Sequence, residues 1–100
     1  MRVIDNKEEN RFEAEVDGYN AIIEYSVQPG ILSLNHTEVP EELSGRGIAS
    51  EMTEKDLLQV ELRGLKVIPV CPFTKNYIEK HSEWKSIVAN EAKKKKPSQD

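Results

Sequence analysis

Two tight-turn signals divide the first forty residues into segments of alternating polarity. Asp17-Gly18 has the composition of a two-residue hairpin turn, because glycine tolerates the positive φ that a primed turn requires. Pro29-Gly30 supplies the fixed φ and the permissive residue of a type II turn. Between charged neighbours, Phe12, Ala14 and Val16 all point to one side of their strand. This spacing predicts an antiparallel meander with one buried face.

The second half of the chain has a different organisation. A helix is predicted from about residue 45 to residue 63, and Gly64 would close it as the C-terminal cap. Residues 65–71 form the last predicted strand, in which Pro69 indicates an unpaired position or a sheet edge. A strand, a helix and a strand make a crossover unit, so this last strand should lie parallel to the strand before the helix. A second, short helix is predicted over residues 73–81.

The length of 100 residues allows one domain with one small core. We assign residues 1–90 to that domain. Residues 91–100 contain a run of four lysines and are predicted to form a disordered tail, as isolated charge runs commonly do. The residues before this tail have a net negative charge, which makes nucleic acid an improbable partner because phosphate attraction needs a basic face. A negative body would more naturally attract a cationic substrate.

Cysteine usage and the first residues bear on the location of the protein. Cys71 is the only cysteine, so no internal disulfide can form and a reducing compartment is expected. Charged and polar residues follow Met1, without an apolar stretch long enough for a signal peptide or a membrane helix. We therefore expect an intracellular protein, most simply cytoplasmic, with a nuclear location left open and no membrane partner. No metal ligands are predicted, and the sequence leaves the oligomeric state open.

Residues 36–50 pass from an apolar strand through a loop into a helix start that contains two glycines. A strand that leads through a glycine-rich turn into a helix directs free backbone N–H groups and the positive helix end to one point, which suits a phosphate. The glycine segment, residues 45–47, lacks the Lys and Ser/Thr of a P-loop and the third glycine of a dinucleotide fingerprint. By its residues alone, it is either an anion cradle or a generic strand-to-helix turn.

Three blocks of sequence closely resemble the small stand-alone GNAT-like N-acetyltransferases of the YjdJ type. The blocks are residues 36–43 (HTEVPEEL), residues 45–50 (GRGIAS) and residues 65–73 (LKVIPVCPF). The resemblance covers roughly residues 10–87. It implies an α/β fold with a mixed sheet, in which an antiparallel meander is followed by a βαβ crossover and a short C-terminal helix. It also implies transfer of an acetyl group from acetyl-coenzyme A to a primary amine, such as a Lys side chain, a peptide or a small amine.

The resemblance assigns the glycine segment to the coenzyme. In that superfamily the backbone amides of a signature loop hold the pyrophosphate of acetyl-coenzyme A. Gly47 and Ala49 match the last two signature positions, whereas Ser44 stands where the family has Arg or Gln. This departure removes a long polar side chain and leaves the amides in place. The amides assigned to the cradle are those of Arg46, Gly47, Ile48, Ala49 and Ser50.

The resemblance further implies that the two parallel strands splay apart and that the pantetheine arm lies in the gap, beside Glu38 and Val39. The acyl carbon would then lie between residues 36–39 and residues 69–73. Phe73 and Tyr77, on the helix after the last strand, are assigned to coenzyme binding. Tyr77 also resembles the acid tyrosine of the superfamily, although its register differs by one residue and a core tyrosine is the alternative.

Two catalytic routes are open at this gap. In direct attack, which we favour here, a base takes a proton from the acceptor ammonium group, and Glu38 is the natural candidate. In a covalent route, Cys71 would carry the acetyl group and His36 would lower the pKa of its thiol. Each residue also has a non-catalytic alternative. Glu38 could be a solvated carboxylate, Cys71 a buried small hydrophobe and His36 a hydrogen-bonded core histidine. The rival to an enzyme is a non-catalytic acyl-CoA-binding or protein-interaction module that kept the cradle.

Overall fold

A computed structural model describes residues 1–89, which form a five-stranded sheet with two helices. The predicted tail, residues 91–100, lies outside the described residues. The elements are β1 (Ile4–Asn6), β2 (Arg11–Val16), β3 (Tyr19–Gln28), β4 (Ile31–Glu38), α1 (Ile48–Leu62), β5 (Lys66–Pro69) and α2 (Pro72–Lys80), with 3-10 turns at Glu41–Leu43 and Ser82–Ile87. The strands lie in the order β1-β2-β3-β4-β5. The first four pair antiparallel and β4 pairs parallel with β5, which confirms the predicted meander and crossover.

Both predicted turns occur where the sequence places them. Asp17 and Gly18 have φ values of 53° and 84°, the positive pair that a type I′ hairpin turn requires. Gly30 has a φ of 77°, as the third residue of a type II turn must. The pairs Val16–Tyr19 and Gln28–Ile31 therefore close two-residue connections on either side of β3.

One face of the sheet is buried under α1. The side chains on this face come from β2, β3, β4 and β5 and include Phe12, Ala14, Ala21, Ile23, Tyr25, Leu32, Leu34 and Val67. Met52, Leu57 and Val60 of α1 cover them, and each is fully buried. Trp84 and Ile87, in the 3-10 turn after α2, join the same core. The core thus holds β4, β5 and the starts of both helices in fixed relation.

β4 contains a register shift that the alternating pattern does not reveal. Leu34 pairs with Tyr25 and His36 pairs with Glu24, so Asn35 has no partner on β3 and forms a β-bulge. One extra residue exchanges the faces of everything that follows it in the strand. Thr37 consequently pairs with the buried Ile23, whereas His36 lies on the exposed face of the sheet.

α1 begins later than predicted and ends as predicted. The helix starts at Ile48 rather than near residue 45, because Gly45 and Gly47 have left-handed φ values of 78° and 73°. At its other end, the N–H of Gly64 donates to the carbonyl of Glu61 at 3.0 Å, and that of Leu65 to Val60 at 3.0 Å. These two bonds make a Schellman motif, which confirms Gly64 as the residue that terminates the helix.

Candidate functional site

β4 and β5 separate at one end of the sheet. Their parallel pairing stops at Leu34 and Pro69, while β4 continues to Glu38. The carbonyl of Leu34 accepts the N–H groups of both Val70, at 3.0 Å, and Cys71, at 2.9 Å, and the chain then turns into α2. Beyond this point the edge of β4 that faces away from β3 has no strand partner among the described residues. Parallel pairing therefore ends in the region where the resemblance implies that the two strands splay apart.

The start of α1 is an uncapped helix end. Gly47 is its N-cap residue, no side chain caps it, and the first intrahelical bond runs from the N–H of Glu51 to the carbonyl of Gly47 at 3.1 Å. The amides of the first turn, those of Ile48, Ala49 and Ser50, have no carbonyl within the helix to which they can donate. Ile48 is buried and fixes this turn to the core, whereas Ser50 is exposed. The helix end thus directs free N–H groups and a positive dipole end into solvent.

The segment predicted to form the cradle is shaped by its backbone conformation. Gly45 and Gly47 both adopt left-handed φ angles, and a Cβ added to either would meet nothing within 4 Å. These positions require glycine for its φ angle and not for space. The side chain of Arg46, which lies between them, is engaged elsewhere: its Nη1 lies 2.8 Å from Oδ2 of Asp17 in the β2–β3 turn. Both partners of this ion pair are exposed.

Cys71 lies on the opposite side of the gap, as the N-cap residue of α2. Its side chain is buried, and its Sγ lies 3.4 Å from Oγ1 of Thr37 on β4. Burial by itself raises the pKa of the thiol. The hydroxyl of Thr37, the backbone amides of Thr74 and Phe73, and the side chain of Thr74 outweigh that effect, and the net pKa of Cys71 is lowered. A thiol with a lowered pKa at a helix N-terminus has the setting of a nucleophilic cysteine.

The structure does not bring the predicted Cys71 and His36 pair together. Because of the bulge at Asn35, the residue of β4 that meets the sulfur is Thr37, and His36 pairs with Glu24 on the other face. Glu38 pairs with Ile22, two residues along β3 from Glu24, so it shares the exposed face with His36. Val39 follows β4 and packs, half-buried, against the core.

The two predicted coenzyme contacts on α2 have different environments. Phe73, at the second position of the helix, is 37% exposed beside the gap. Tyr77 is buried in the core, and its ring stacks on His81 with centroids 4.1 Å apart. Burial, followed by the charges of Glu54 and Glu83, raises the pKa of Tyr77. This placement matches the core-tyrosine alternative, and coenzyme contact by either residue stays a prediction.

Sequence reasoning missed two hydroxyls at this site. Thr37 reaches the sulfur only because of the bulge, and nothing in the local sequence marks that bulge. Thr74, three residues after Cys71, is fully buried in the first turn of α2. Its position after a helix-capping residue was visible, but its burial was not.

Two further properties concern the described part of the chain. Among residues 1–89, no group of three or more His, Cys, Asp or Glu side chains is arranged to hold a metal ion. None of the helices described is long and apolar enough to cross a membrane.

Comparison with known proteins adds to this geometry. The chain is similar in fold to the solution NMR structure of a "GCN5-like putative N-acetyltransferase" from Staphylococcus aureus, with a TM-score of 0.68 and 24% sequence identity over 88% of this chain and 87% of that one. No curated protein matches the sequence. A family model described as GCN5-related N-acetyl-transferase matches residues 11–87, well over half of the chain. The chain therefore belongs to the GCN5-related N-acetyltransferase family, as its three sequence blocks indicated.

Proposed function

We propose that the protein binds acetyl-coenzyme A in the gap between β4 and β5 and transfers the acetyl group to a primary amine. One observation carries this proposal: parallel pairing ends at Leu34 and Pro69 while β4 continues to Glu38. The unpaired edge of β4 offers N–H and C=O groups to an extended ligand, just as a sheet edge does to an added strand. The pantetheine arm contains amides that can pair with such an edge.

The start of α1 is suited to the pyrophosphate. It lies one short connection after β4 and offers the amides of residues 46–50. Anions bind at helix N-termini because free N–H groups and the dipole act together. Since Arg46 is held by Asp17, the contribution of that residue comes from its backbone. The long side chain missing at Ser44 is thus not essential to a cradle made of amides.

Cys71 is the residue best placed for chemistry. Bound acetyl-coenzyme A would supply the acetyl group as a thioester. The Cys71 thiolate would attack the carbonyl carbon, a new sulfur–carbon bond would form as the bond to the coenzyme sulfur breaks, and the departing thiolate would take a proton from solvent. A neutral amine would then attack the acetyl-cysteine, which releases the amide product and returns the thiolate. Solvent accepts the proton that the amine loses.

Direct attack by the amine on the thioester is the other route, with Glu38 as base. Glu38 and His36 lie on the exposed face, whereas the sulfur lies in the gap beside Thr37. The covalent route therefore has the better geometric support, contrary to the preference that the sequence suggested. We keep an intracellular location as a prediction, because a free thiol nucleophile requires a reducing compartment.

A non-catalytic acyl-CoA-binding or protein-interaction module is the second candidate. Its support is the open acceptor side: His36 and Glu38 are exposed, and no described element covers them to form a walled acceptor pocket. This openness equally suits an acceptor carried by a flexible peptide or a small polyamine. The two candidates differ in turnover and not in coenzyme binding.

Mass spectrometry of the intact protein tests the proposal. After incubation with acetyl-coenzyme A, we expect one acetyl adduct on Cys71 that disappears when a productive amine is added. The amine panel contains polyamines, small primary amines and lysine peptides, and Cys71→Ala is the control for non-specific acetylation. Coenzyme binding without turnover on any member of the panel would favour the binding module. If the coenzyme does not bind at all, both candidates fail.

A further inference from the structure

Thr74 has an unsatisfied hydroxyl in the interior of the protein. Its side chain is 0% exposed, and its Oγ1 has no hydrogen-bond partner among the described residues. Buried hydroxyl groups are nearly always paired, because an unpaired one costs stability. Thr74 lies in the first turn of α2, three residues after the N-cap residue Cys71, a spacing that puts two residues on the same side of a helix. The side chain of Thr74 also lowers the pKa of Cys71.

Thr37 approaches the same sulfur from β4. Its Oγ1 lies 3.4 Å from the Sγ of Cys71, and the bulge at Asn35 is what turns it to this side of the sheet. The two hydroxyls thus come from separate elements, the end of a strand and the start of a helix, and both lower the pKa of the same thiol.

We propose that Thr37 and Thr74 are a pair of hydroxyl donors that hold the Cys71 sulfur as a thiolate. A neutral thiol is a weak donor and a weak acceptor, so it has little to offer the hydroxyl of Thr74. When the thiol proton leaves to solvent, the sulfur becomes a charged acceptor with room for a donor on each side, and charge-assisted hydrogen bonds are the strong ones. The hydroxyl of Thr74 therefore donates a hydrogen bond only when Cys71 is a thiolate. This assignment rests on the proposed function, in which the thiolate is the nucleophile.

The thiolate itself provides the readout. Because Cys71 is the only cysteine, the ultraviolet absorbance of its thiolate can be followed against pH in the full chain, with Cys71→Ala as the blank. Thr74→Val keeps the shape and removes the donor. We expect it to lower the ratio of thiolate to thiol about tenfold at a given pH, the worth of one hydrogen bond to a charged group. Thr37→Val should act in the same direction, and Thr74→Ser should restore the titration of the unmodified protein.

A matched control is available on α1. Thr53 is also fully buried, but its Oγ1 already donates to the carbonyl of Ala49 at 2.7 Å. Thr53→Val should therefore leave the Cys71 titration unchanged. An unchanged titration in Thr74→Val would overturn the pair. If Thr74→Val does not fold, Thr74→Ala and Thr74→Ser decide the question: equal titrations in these two variants would equally overturn it.

The test is independent of turnover. It uses the protein without coenzyme or acceptor. If the Cys71 titration shifts in Thr74→Val but the unmodified protein transfers no acetyl group, the hydroxyl pair is supported and the transferase function is contradicted. If the protein transfers acetyl groups but the titration does not shift in Thr74→Val, the transferase function is supported and the hydroxyl pair is contradicted.

Discussion

The two helices begin on opposite sides of the same gap, and their first turns are built in different ways. α1 starts with left-handed glycines and exposes backbone to solvent. α2 starts with a buried cysteine followed by Pro72, with the hydroxyl of Thr37 3.4 Å from the sulfur and the buried Thr74 in the same first turn. Pro72 at the first helical position loses nothing there, because its missing N–H would be unpaired in any case.

In the proposed function, the start of α1 binds the coenzyme and the start of α2 supplies the reactive sulfur. A helix end made of backbone can hold a charged group that stays partly hydrated, and most side-chain changes leave it intact. A helix end made of a buried sulfur and hydroxyls controls one ionisation, and each side chain matters. We therefore expect substitutions at α1 to change coenzyme affinity and substitutions at α2 to change turnover.

The largest expected effect is on turnover in Cys71→Ala. If the acetyl group passes through this sulfur, its removal should lower kcat by about a hundredfold or more while coenzyme affinity changes by less than about threefold. Steady-state kinetics and calorimetry measure the two quantities separately. Retained turnover would indicate direct attack, in which case Glu38→Gln should abolish activity instead.

The next effect concerns the stability of α1. Asp56 is fully buried, its carboxyl oxygens have no hydrogen-bond partner among the described residues, and burial followed by the charge of Asp5 raises its pKa to about 9. The folded protein therefore holds a proton that the unfolded chain releases at its ordinary pKa of 3.8. The stability associated with this proton is fully present below that value and is lost as pH rises towards the folded pKa.

Denaturation at several pH values checks this sign. Relative to Asp56→Asn, the free energy of unfolding should fall by roughly 1 kcal/mol per pH unit between about pH 5 and pH 8. Amide exchange should report the loosening in α1 before α2. Identical pH profiles for the two proteins would show that Asp56 is not protonated in the fold.

A smaller effect is expected for Gly47→Ala. A Cβ at this position meets no neighbour, so its cost is the left-handed φ of 73°, on the order of 1 kcal/mol. We expect coenzyme affinity to fall by about tenfold as the cradle relaxes away from this conformation. Gly18→Ala is the matched control, because Gly18 has a φ of 84° and equally open surroundings in the β2–β3 turn. It should lose similar stability and keep its affinity. Equal losses of affinity in both variants would contradict a local cradle.

The smallest effect is expected for Arg46→Ala. The ion pair with Asp17 is exposed and contributes less than about 1 kcal/mol. If the cradle uses amides alone, coenzyme affinity should change by less than about threefold, and Asp17→Asn, which frees the guanidinium, should behave in the same way. Calorimetry in low salt measures this affinity. A tenfold loss of affinity in Arg46→Ala would contradict the prediction and assign the guanidinium to the phosphates.

The sequence revealed the parts of this fold that are determined by local conformation. Asp17-Gly18 and Pro29-Gly30 form the predicted turns, and Gly64 ends α1, because each depends on a φ angle that few residues adopt. The three blocks of family resemblance predicted the gap, where parallel pairing ends, and a coenzyme cradle at the start of α1, which stays a prediction. The start of α1 moved from residue 45 to Ile48, because the left-handed Gly47 cannot continue a helix.

The chemistry of the gap could not be predicted in the same way. The bulge at Asn35 depends on pairing with β3, and it exchanges His36 for Thr37 at the sulfur. The burial of Thr74 depends likewise on the packing of α2. Asp56 is an acidic residue among the buried apolar residues of α1, and the structure shows it buried with a raised pKa. Tertiary contacts decide all of these features.

In the proposed complex, backbone amides at the start of α1 hold the coenzyme pyrophosphate while the β4 edge holds the pantetheine arm. An NMR titration of the full chain with coenzyme A tests this binding mode amide by amide. We predict saturable shifts at residues 46–50 and 36–39, with unchanged positions in the β2–β3 turn at Gly18. Binding that shifts other amides and leaves residues 46–50 unchanged would contradict this binding mode.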